Sequence, residues 1–417
     1  MHSCSGMQEG GRSSRIAVLD TIHGASVISR KMVESGLRAE AFEVYHHTPE
    51  LSSFYLIVSP VHLSPDNTAL RAARRQGKAV ISHHQAVGDL LRGDAWSGEI
   101  FEVTGTHSKT STALLLALIL SRSRRVLSHT TRGLEIWQDG RSLLLEKGLS
   151  IAPANVIPAV QAAKDSSASS LICEVSLGGT GLADYGVMTS LFGDYMIASG
   201  SRWASTAKLQ MLSLAKRGMK FIANSDSRIS SDCSFGAEGC VCASSERLVL
   251  GKEEYKLQLG VDLDFPGYQT AISAAAAAAN AAGVEGRDIA QALSGFDGFP
   301  GRMKIQRREH QIIFDCSNSG LKVRDVSRAL DRARGPDLVA VVGEDSKTVC
   351  EGMDIPVLAD LLRRRRGELA RLILVGERLQ ALAEELGADG AADLEEGLEK
   401  AQKSSPKRLL SSVKCFR

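Results

Sequence analysis

The chain has 417 residues, of which 43% are hydrophobic and 24% are charged, and its formal net charge is +2. This length allows about three domains, and the composition is that of a globular protein. The near-neutral charge argues against a nucleic-acid or membrane-surface partner, and the absence of any run of about 18 apolar residues argues against a transmembrane helix. We therefore expect a cytoplasmic monomer that binds neither nucleic acid nor membrane.

The N-terminal residues are not expected to act as a signal peptide. Residues 1–14 are polar and rich in glycine and serine, without the apolar segment of a signal peptide, and are expected to form a flexible tail. The eight cysteines are scattered, and the group Cys233, Cys240 and Cys242 does not have a usual zinc spacing. Reduced thiols, as in cytosolic proteins, are expected.

Residues 15–98 alternate short apolar segments with amphipathic ones, which is typical of βαβ units. The predicted strands are 15–20, 39–44, 54–60 and 78–82, and the predicted helices are 25–35 and 66–76. A small parallel-sheet domain is expected here. Its first turn has a single glycine, Gly24, so the fingerprint of a dinucleotide-binding fold is missing.

Residues 99–299 form the largest predicted domain. It begins with an apolar strand at 99–104, a loop of small residues and a helix at 113–120. Further strands are predicted at 171–175, 186–189, 220–223, 248–250 and 255–259, and an alanine-rich helix at 271–282.

Residues 300–417 are predicted to form a third domain, an open α/β fold of the Rossmann-like type. Its predicted strands are 303–307, 312–315, 338–342 and 372–375, separated by charged helices. Glycine and proline at close spacing in 295–301 indicate a hinge before it. The fold class is therefore α/β, with a parallel-sheet N-terminal domain, a central P-loop domain and a C-terminal Rossmann-like domain.

The loop at the start of the central domain is predicted to bind phosphate. Backbone N–H groups at a helix N-terminus face an anion, Lys109 can reach the terminal phosphates of a nucleotide, and the Thr110 hydroxyl can bind Mg²⁺. An ordinary βα turn with a surface lysine is the alternative. The Lys-Thr pair at the helix start favours phosphate binding. The predicted nucleotide-binding residues are Gly105, Thr106, His107, Ser108, Lys109, Thr110 and Ser111.

A carboxylate ends the predicted strand 171–175. Glu174 would lie at the carboxyl edge of a parallel sheet, beside the phosphate loop, where it can hold Mg²⁺ against ATP. A carboxylate that only caps the following turn is the alternative.

Four motifs occur in a fixed order: Thr-Gly-Thr-x-x-Lys-Thr at 104–110, Glu-x-Ser at 174–176, Ala-Lys at 207–208 and Gly-Arg-Met at 301–303. Together they resemble the Mur ligase superfamily, and the resemblance covers about residues 100–380. It implies a three-domain ATP-dependent ligase that uses Mg²⁺ and converts a carboxylate into an acyl phosphate, which a nucleophile then captures.

The resemblance also implies roles for individual residues. Lys109 and Arg302 would stabilise phosphate charge during catalysis, and Thr110 and Glu174 would bind the metal. Lys208 corresponds to a lysine that is carbamylated in many members and then serves as a metal ligand. Asn224 and Asp315 would contact the nucleotide, and Asn318 is a weaker candidate.

Several positions depart from the Mur pattern. Ser108 replaces the glycine before the lysine, Ser190 replaces an asparagine, and Tyr195 replaces a metal-binding histidine. Thr270 and Ser273 stand where the family has asparagines near adenine. No ligand role is therefore carried over to Tyr195, and different adenine contacts are expected.

Three segments, 82–88, 174–184 and 315–321, depart together from the peptidoglycan ligases. They resemble the coenzyme F-430 synthases of methanogenic archaea, a Mur-like family. This resemblance implies a nickel tetrapyrrole substrate whose propionate is activated with ATP and attacked by carbon, which closes the last carbocyclic ring. An amide-forming Mur ligase is the alternative enzyme, and a non-catalytic nucleotide-binding scaffold is the alternative class.

The N-terminal domain holds six of the ten histidines: His23, His46, His47, His62, His83 and His84. This concentration at predicted strand ends indicates a substrate pocket. His83, His84 and Arg30 are suitable donors for the carboxylates of a tetrapyrrole.

Overall fold

The computed structural model describes residues 15–93, 96–345 and 352–415, so the predicted flexible tail 1–14 lies outside the described residues. The contacts divide the chain into two units. One comprises Met1–Lys256 and Thr270–Ala292, and the other comprises Leu257–Gln269 and Leu293–Arg417. The boundaries of the three sequence-derived domains stay a prediction.

The N-terminal part of the first unit is a four-stranded parallel sheet with the order β2-β1-β3-β4. Apolar residues of β1 and β3 are buried on both faces, as expected for parallel strands covered by helices. This confirms the predicted parallel-sheet fold. The strands are β1 Arg15–Leu19, β2 Arg38–Phe42, β3 Phe54–Ser59 and β4 Ala79–Ser82, and the helices are α1 Ala25–Glu34, α2 Thr68–Arg75 and α3 His83–Leu91.

Helix α3 was not predicted, because its histidines were placed at a strand end. Ser82 is its N-cap, and the Ser82 hydroxyl accepts a hydrogen bond from the Gln85 N–H at 3.0 Å. Serine directly before an amphipathic segment is the sequence signal that indicates such a helix start.

The central part of the first unit is an eleven-stranded sheet with the order β17-β16-β15-β14-β13-β10-β5-β9-β6-β7-β8. Its strands are β5 Glu99–Thr104, β6 Val126–Thr130, β7 Gly133–Gln138, β8 Arg141–Glu146, β9 Ser170–Glu174, β10 Tyr185–Met188, β13 Lys220–Asn224, β14 Cys233–Phe235, β15 Val241–Ala243, β16 Arg247–Leu250 and β17 Glu253–Lys256. A separate hairpin pairs β11 Met196–Ile197 with β12 Arg202–Trp203.

The helices that accompany this sheet are α4 Lys109–Leu120, α5 Val156–Asp165, α6 Ala204–Lys208, α7 Gln210–Ser213, α8 Phe265–Ala281 and α9 Gly286–Ala292. Helix α4 is apolar on almost every face and is buried, so it packs in the interior as well as presenting its N-terminus to the phosphate loop.

The antiparallel β6-β7-β8 meander was also missed. Asp139 and Gly140 connect β7 to β8, with φ values of 52° and 74°. Positive φ at both turn residues is the geometry that an Asp-Gly pair favours in a tight hairpin. The dipeptide was therefore a usable sequence signal.

The N-terminal sheet packs on the central part of the first unit through two of the segments that suggested the substrate. His84 Nε2 donates to the Ser176 carbonyl oxygen at 2.7 Å, and the Ser82 hydroxyl donates to Gln210 at 3.0 Å. A Cβ at Gly88 would lie 2.0 Å from the Thr180 carbonyl oxygen, so only glycine fits there. Segments 82–88 and 174–184 thus form one contact.

Acid is expected to loosen this contact. Burial lowers the pKa of His84 to about 4, against a usual value of 6.5, although its bond to Ser176 opposes the shift. Between pH 6.5 and 4, His84 is protonated in the unfolded chain but neutral in the folded protein. The free energy of unfolding therefore falls as the pH drops through this range, by up to ~3 kcal/mol for this group.

Thermal unfolding measured across this pH range checks the expectation. The variant His84→Gln should flatten the pH dependence, whereas the exposed control His46→Gln should leave it unchanged. Because burial also lowers the pKa values of His83 and His129, to about 3 and about 4, part of the dependence persists in the variant. An unchanged slope in His84→Gln would contradict the assignment.

The second unit contains a six-stranded sheet with the order β18-β19-β23-β20-β21-β22, in which only β18 and β19 pair antiparallel. The parallel strands and flanking helices are those of an open α/β fold. Its strands are β18 Lys304–Arg308, β19 Gln311–Asp315, β20 Leu338–Glu344, β21 Arg371–Val375, β22 Asp389–Ala391 and β23 Arg408–Lys414, and its helices are α10 Val323–Ala333, α11 Ile355–Arg365, α12 Glu377–Gln380 and α13 Leu394–Gln402.

None of the helices in the described ranges is long and apolar enough to cross a membrane.

Candidate active site

The predicted phosphate loop connects β5 to α4 in the centre of the eleven-stranded sheet. Gly105 has a φ of 143°, and a Cβ there would lie 2.1 Å from the Thr189 Oγ1 atom. A side chain at position 105 would therefore clash with the neighbouring strand end. The backbone approaches closely at this point, as a loop that wraps a phosphate requires.

Ser108 adopts the left-handed conformation, with a φ of 62°, and is the residue that precedes helix α4. Its carbonyl oxygen accepts the first helical hydrogen bond, from the Thr112 N–H at 2.8 Å. The serine thus takes the backbone conformation for which glycine is favoured at this position of a phosphate loop. The departure from the Mur pattern leaves the helix start intact.

Residues at the end of β10 hold the loop in place. The Thr106 N–H donates to the Ser190 carbonyl oxygen at 2.9 Å, and its hydroxyl donates to the Phe192 carbonyl oxygen at 2.7 Å. The Thr189 hydroxyl in turn donates to the His107 carbonyl oxygen at 2.5 Å. These bonds tie the loop to the end of the adjacent strand β10.

Thr110 and Glu174 lie together, as predicted from their positions in the sequence. The Thr110 hydroxyl is 2.8 Å from Glu174 Oε2 and 3.0 Å from Oε1. The Thr131 N–H also donates to Oε2, at 3.3 Å. Glu174 is only 2% exposed, at the end of β9, which pairs with β5.

This arrangement fits a nucleotide with a divalent cation. A hydroxyl and a carboxylate in contact at the mouth of a phosphate loop are the hard oxygen ligands that Mg²⁺ prefers. The loop at Gly105 has no room for a side chain. Lys109 is the first residue of helix α4 and is adjacent in sequence to Thr110.

Lys208 ends helix α6 and is 1% exposed. Its Nζ atom lies 5.9 Å from the centre of the Tyr195 ring, so the aromatic residue that replaces the family histidine packs near it. Asp194 fixes this region, because its Oδ1 atom accepts from the N–H groups of Tyr195 at 2.9 Å and Ser205 at 3.0 Å.

Asn224 lies at the end of β13, where its amide donates to the Thr189 carbonyl oxygen at 3.1 Å. The next acidic residue, Asp226, accepts from the Ser190 hydroxyl at 3.1 Å. The structure therefore joins Asn224 to the same strand end that holds the phosphate loop.

In the second unit, the Gly-Arg-Met segment is bonded to the end of β19. The Gly301 N–H donates to Asp315 Oδ2 at 2.9 Å, and an Arg302 guanidinium nitrogen donates to Asn318 Oδ1 at 2.9 Å. The Asn318 amide returns a bond to the Gly301 carbonyl oxygen at 2.9 Å. Arg302, Asp315 and Asn318, which were predicted separately, thus form one cluster.

His83 and His84, which the sequence offered as suitable donors for the substrate, are instead part of the core. Their side chains are 0% and 2% exposed, and each donates from Nε2 to a backbone carbonyl oxygen, that of Leu19 for His83 and that of Ser176 for His84. The physical reason is that they begin a helix which packs against the core, so their imidazoles stabilise the fold. His46 and His47 are exposed, as is Arg30.

The sequence analysis missed two features of the site. Thr189 and Ser190 form hydrogen bonds with the phosphate loop. The sequence analysis named only Ser190, as the replacement of an asparagine. Asp20 was not considered, yet it contacts His23 and His62 at the edge of the N-terminal sheet. A polar residue that directly follows a buried strand could have drawn attention to Asp20.

Comparison with known proteins decides the family. The C-terminal residues 305–415 match the family model "Coenzyme F430 synthetase CfbE, C-terminal domain". Coenzyme F(430) synthetase of Methanosarcina acetivorans is 34% identical, over 97% of this chain and 99% of that protein. The chain belongs to the coenzyme F430 synthetase family. UDP-N-acetylmuramate--L-alanine ligase of Gloeobacter violaceus is similar over a shorter segment, with 36% identity over 20% of this chain and 18% of that protein.

Solved structures show that this coenzyme F430 synthetase family member has the Mur ligase fold. MurF from Acinetobacter baumannii matches with a TM-score of 0.57 and 16% identity, over 82% of this chain and 79% of that one. A bifunctional folylpolyglutamate synthase/dihydrofolate synthase from Yersinia pestis, in complex with AMPPNP and a Mn ion, matches with a TM-score of 0.57 and 17% identity, over 80% and 90%. The predicted α/β fold class and the Mur resemblance are confirmed.

Proposed function

We propose that the protein is an ATP-dependent ligase that closes the final carbocyclic ring of coenzyme F-430. Its substrate is a nickel seco-tetrapyrrole, whose propionate carboxylate is activated as an acyl phosphate. The observation that carries the proposal is the full-length similarity to a coenzyme F(430) synthetase, together with a phosphate loop whose threonine contacts Glu174.

The first step of the proposed reaction is phosphoryl transfer. A propionate oxygen attacks the γ-phosphorus of ATP, and ADP leaves. The loop residues 105–111 bind the phosphates, and Lys109 stabilises the negative charge that shifts onto the leaving group. Thr110 and Glu174 would hold Mg²⁺, which neutralises phosphate charge when bound.

The second step is carbon–carbon bond formation. A carboxylate is a poor electrophile, whereas an acyl phosphate has a good leaving group. A ring carbon attacks the carbonyl carbon, and the bond from this carbonyl carbon to the phosphate oxygen breaks. The proton that the ring carbon loses is taken up by the departing phosphate, so that a ketone and inorganic phosphate are the products. The nucleophile belongs to the same molecule, so no external amine is consumed.

The remaining site residues carry the roles that the Mur resemblance implies. Arg302 is proposed as a second phosphate-stabilising cation, Asp315 as a ribose contact and Asn224 as a nucleotide contact. Lys208 is proposed as a carbamylated metal ligand. Its burial supports this, since a metal ligand inside a closed site is shielded from water.

The substrate can be tested directly. Incubation of the protein with ATP, Mg²⁺ and the nickel seco-tetrapyrrole acid is expected to release one ADP and one phosphate per ring closed. The visible spectrum should shift with the same time course. Omission of the tetrapyrrole is the matched control. If the spectrum does not change and ADP is released only with an amino acid and another carboxylate, the amide ligase is the correct function.

A further inference from the structure

A cluster of one carboxylate and two imidazoles lies at the carboxyl edge of the N-terminal sheet. Asp20 and His23 follow β1, and His62 follows β3. In the strand order β2-β1-β3-β4, the chain reverses direction across the sheet between β1 and β3. Ligands of open α/β sheets bind at this point, outside the carboxyl ends of the strands.

The three potential ligand atoms converge. Asp20 Oδ2 lies 2.7 Å from His23 Nδ1 and 3.2 Å from His62 Nε2, and the two ring nitrogens are 3.3 Å apart. Tetrahedral ligand atoms at about 2.0–2.1 Å from one cation lie roughly 3.3–3.4 Å from each other. The two separations that involve His62 are close to this value, whereas Asp20 and His23 lie at hydrogen-bond distance.

The same three atoms can also form hydrogen bonds. In one tautomer His23 Nδ1–H donates to Asp20 Oδ2, and His62 Nε2 lies beside both groups. A cation would use all three atoms at once, because a carboxylate oxygen and two unprotonated ring nitrogens each offer it a lone pair.

The Asp20 carboxylate is also held by groups other than the two imidazole rings. Asp20 Oδ1 accepts from the N–H groups of Ile22 and His23, both at 3.1 Å, and Oδ2 accepts from the Tyr45 hydroxyl at 2.8 Å. Asp20 is 0% exposed, whereas the side chains of His23 and His62 are each 30% exposed. A fixed carboxylate with outer hydrogen bonds and two accessible imidazoles is a common arrangement around bound metals.

We propose that Asp20, His23 and His62 bind one divalent transition-metal cation of the zinc, cobalt or nickel class. Two imidazoles favour these cations over Mg²⁺, which prefers oxygen ligands. The site therefore differs in ligand chemistry from the oxygen pair Thr110 and Glu174. Three protein ligands leave at least one position of the cation for water or an anionic ligand.

The position of the cluster gives the open coordination site a use. The cluster lies outside the carboxyl ends of β1 and β3, where open α/β sheets bind their ligands. A cation there could bind a carboxylate of the ligand that this domain receives; this use rests on the proposed function, whereas metal binding does not.

Metal binding can be measured without ATP or tetrapyrrole. The full-length protein is titrated with Co²⁺, whose visible absorption bands report bound nitrogen and oxygen ligands, and Zn²⁺ is then added as a competitor. Wild type is expected to bind one equivalent of Co²⁺ that the variants His62→Ala and His23→Ala lose, with affinity at least tenfold lower. Tyr45→Phe keeps all three ligands and should weaken binding less.

His46→Ala is the matched control, since His46 is exposed in the same region and lies outside the cluster. Circular dichroism and thermal unfolding check that each variant is folded. The proposal is overturned if wild type binds no Co²⁺, or if folded His62→Ala and His23→Ala bind as much Co²⁺ as His46→Ala with the same spectrum. Zn²⁺ that fails to displace the bound Co²⁺ would also contradict it.

Discussion

The variant Lys109→Ala is expected to release ADP at least ~100-fold more slowly than wild type. Lys109 is the first residue of α4 and directly follows Ser108, where the loop turns into the helix. Loss of one preorganised cation that stabilises transferred charge costs about 3 kcal/mol or more in the transition state. The measurement is substrate-dependent ADP release, accompanied by calorimetric binding of a non-hydrolysable ATP analogue.

The fold should survive this substitution, because Lys109 is only partly buried at the loop–helix junction. Lys147→Ala, at an exposed position after β8, is the control for the loss of any lysine. Activity of Lys109→Ala within about threefold of wild type corresponds to less than ~1 kcal/mol and would reject the phosphate-loop assignment. Analogue binding separates this outcome from an incorrect substrate.

The variant Lys208→Ala is expected to lose activity by ~100-fold or more and to recover part of it when acetate or formate is added. The lost carbamate would be a carboxylate-like ligand, and a small carboxylate can occupy the space that the truncated side chain leaves. Lys208→Arg keeps the positive charge but cannot be carbamylated, so it should be equally inactive.

The carbamate itself can be observed. Protein equilibrated with ¹³C-labelled bicarbonate should give a carbamate carbon signal that is missing from Lys208→Arg. Because Lys208 is buried in wild type, circular dichroism must show that both variants are folded. Full activity in folded Lys208→Arg, or the same signal in that variant, would refute the carbamate.

The phosphate loop could be predicted because its parts are contiguous. A strand, a loop and a helix follow each other within residues 99–120, and each is determined by local sequence. The same holds for the N-terminal strands and for the first strands of the second unit, where short apolar segments alternate with amphipathic ones. Ser108, which has a left-handed backbone, is the position at which the loop pattern has a glycine.

Prediction of the contact between Thr110 and Glu174 required more than the local pattern of either segment. The two residues are 64 positions apart, and they meet because β9 pairs with β5. Nothing in either strand alone states which strands are neighbours. The position of Glu174 at the carboxyl end of a parallel strand indicated that it lies beside the loop, the resemblance to Mur ligases supported this, and the structure shows the contact.

Residues that begin a helix inside the core were misjudged. Ser82 was a readable N-cap before His83 and His84, but the two histidines were interpreted by their chemistry alone. Whether a histidine faces a ligand or the interior depends on which side of a helix packs against its neighbour. Here α3 packs on the Ser176–Thr180 segment, where His84 is bonded, and His83 is bonded to the Leu19 carbonyl oxygen at the end of β1, so both imidazoles are buried.

The sequence by itself indicated the fold class and the family, and it predicted a phosphate loop at residues 105–111, because these depend on short-range patterns and on motif order. Only the tertiary structure brought Asp20, His23 and His62 within hydrogen-bonding distance. Their convergence depends on the order β2-β1-β3-β4, which places the ends of β1 and β3 side by side although 40 residues separate Leu19 from Ser59. Strand order arises from long-range packing of the helices on the sheet, and no local run of residues encodes it.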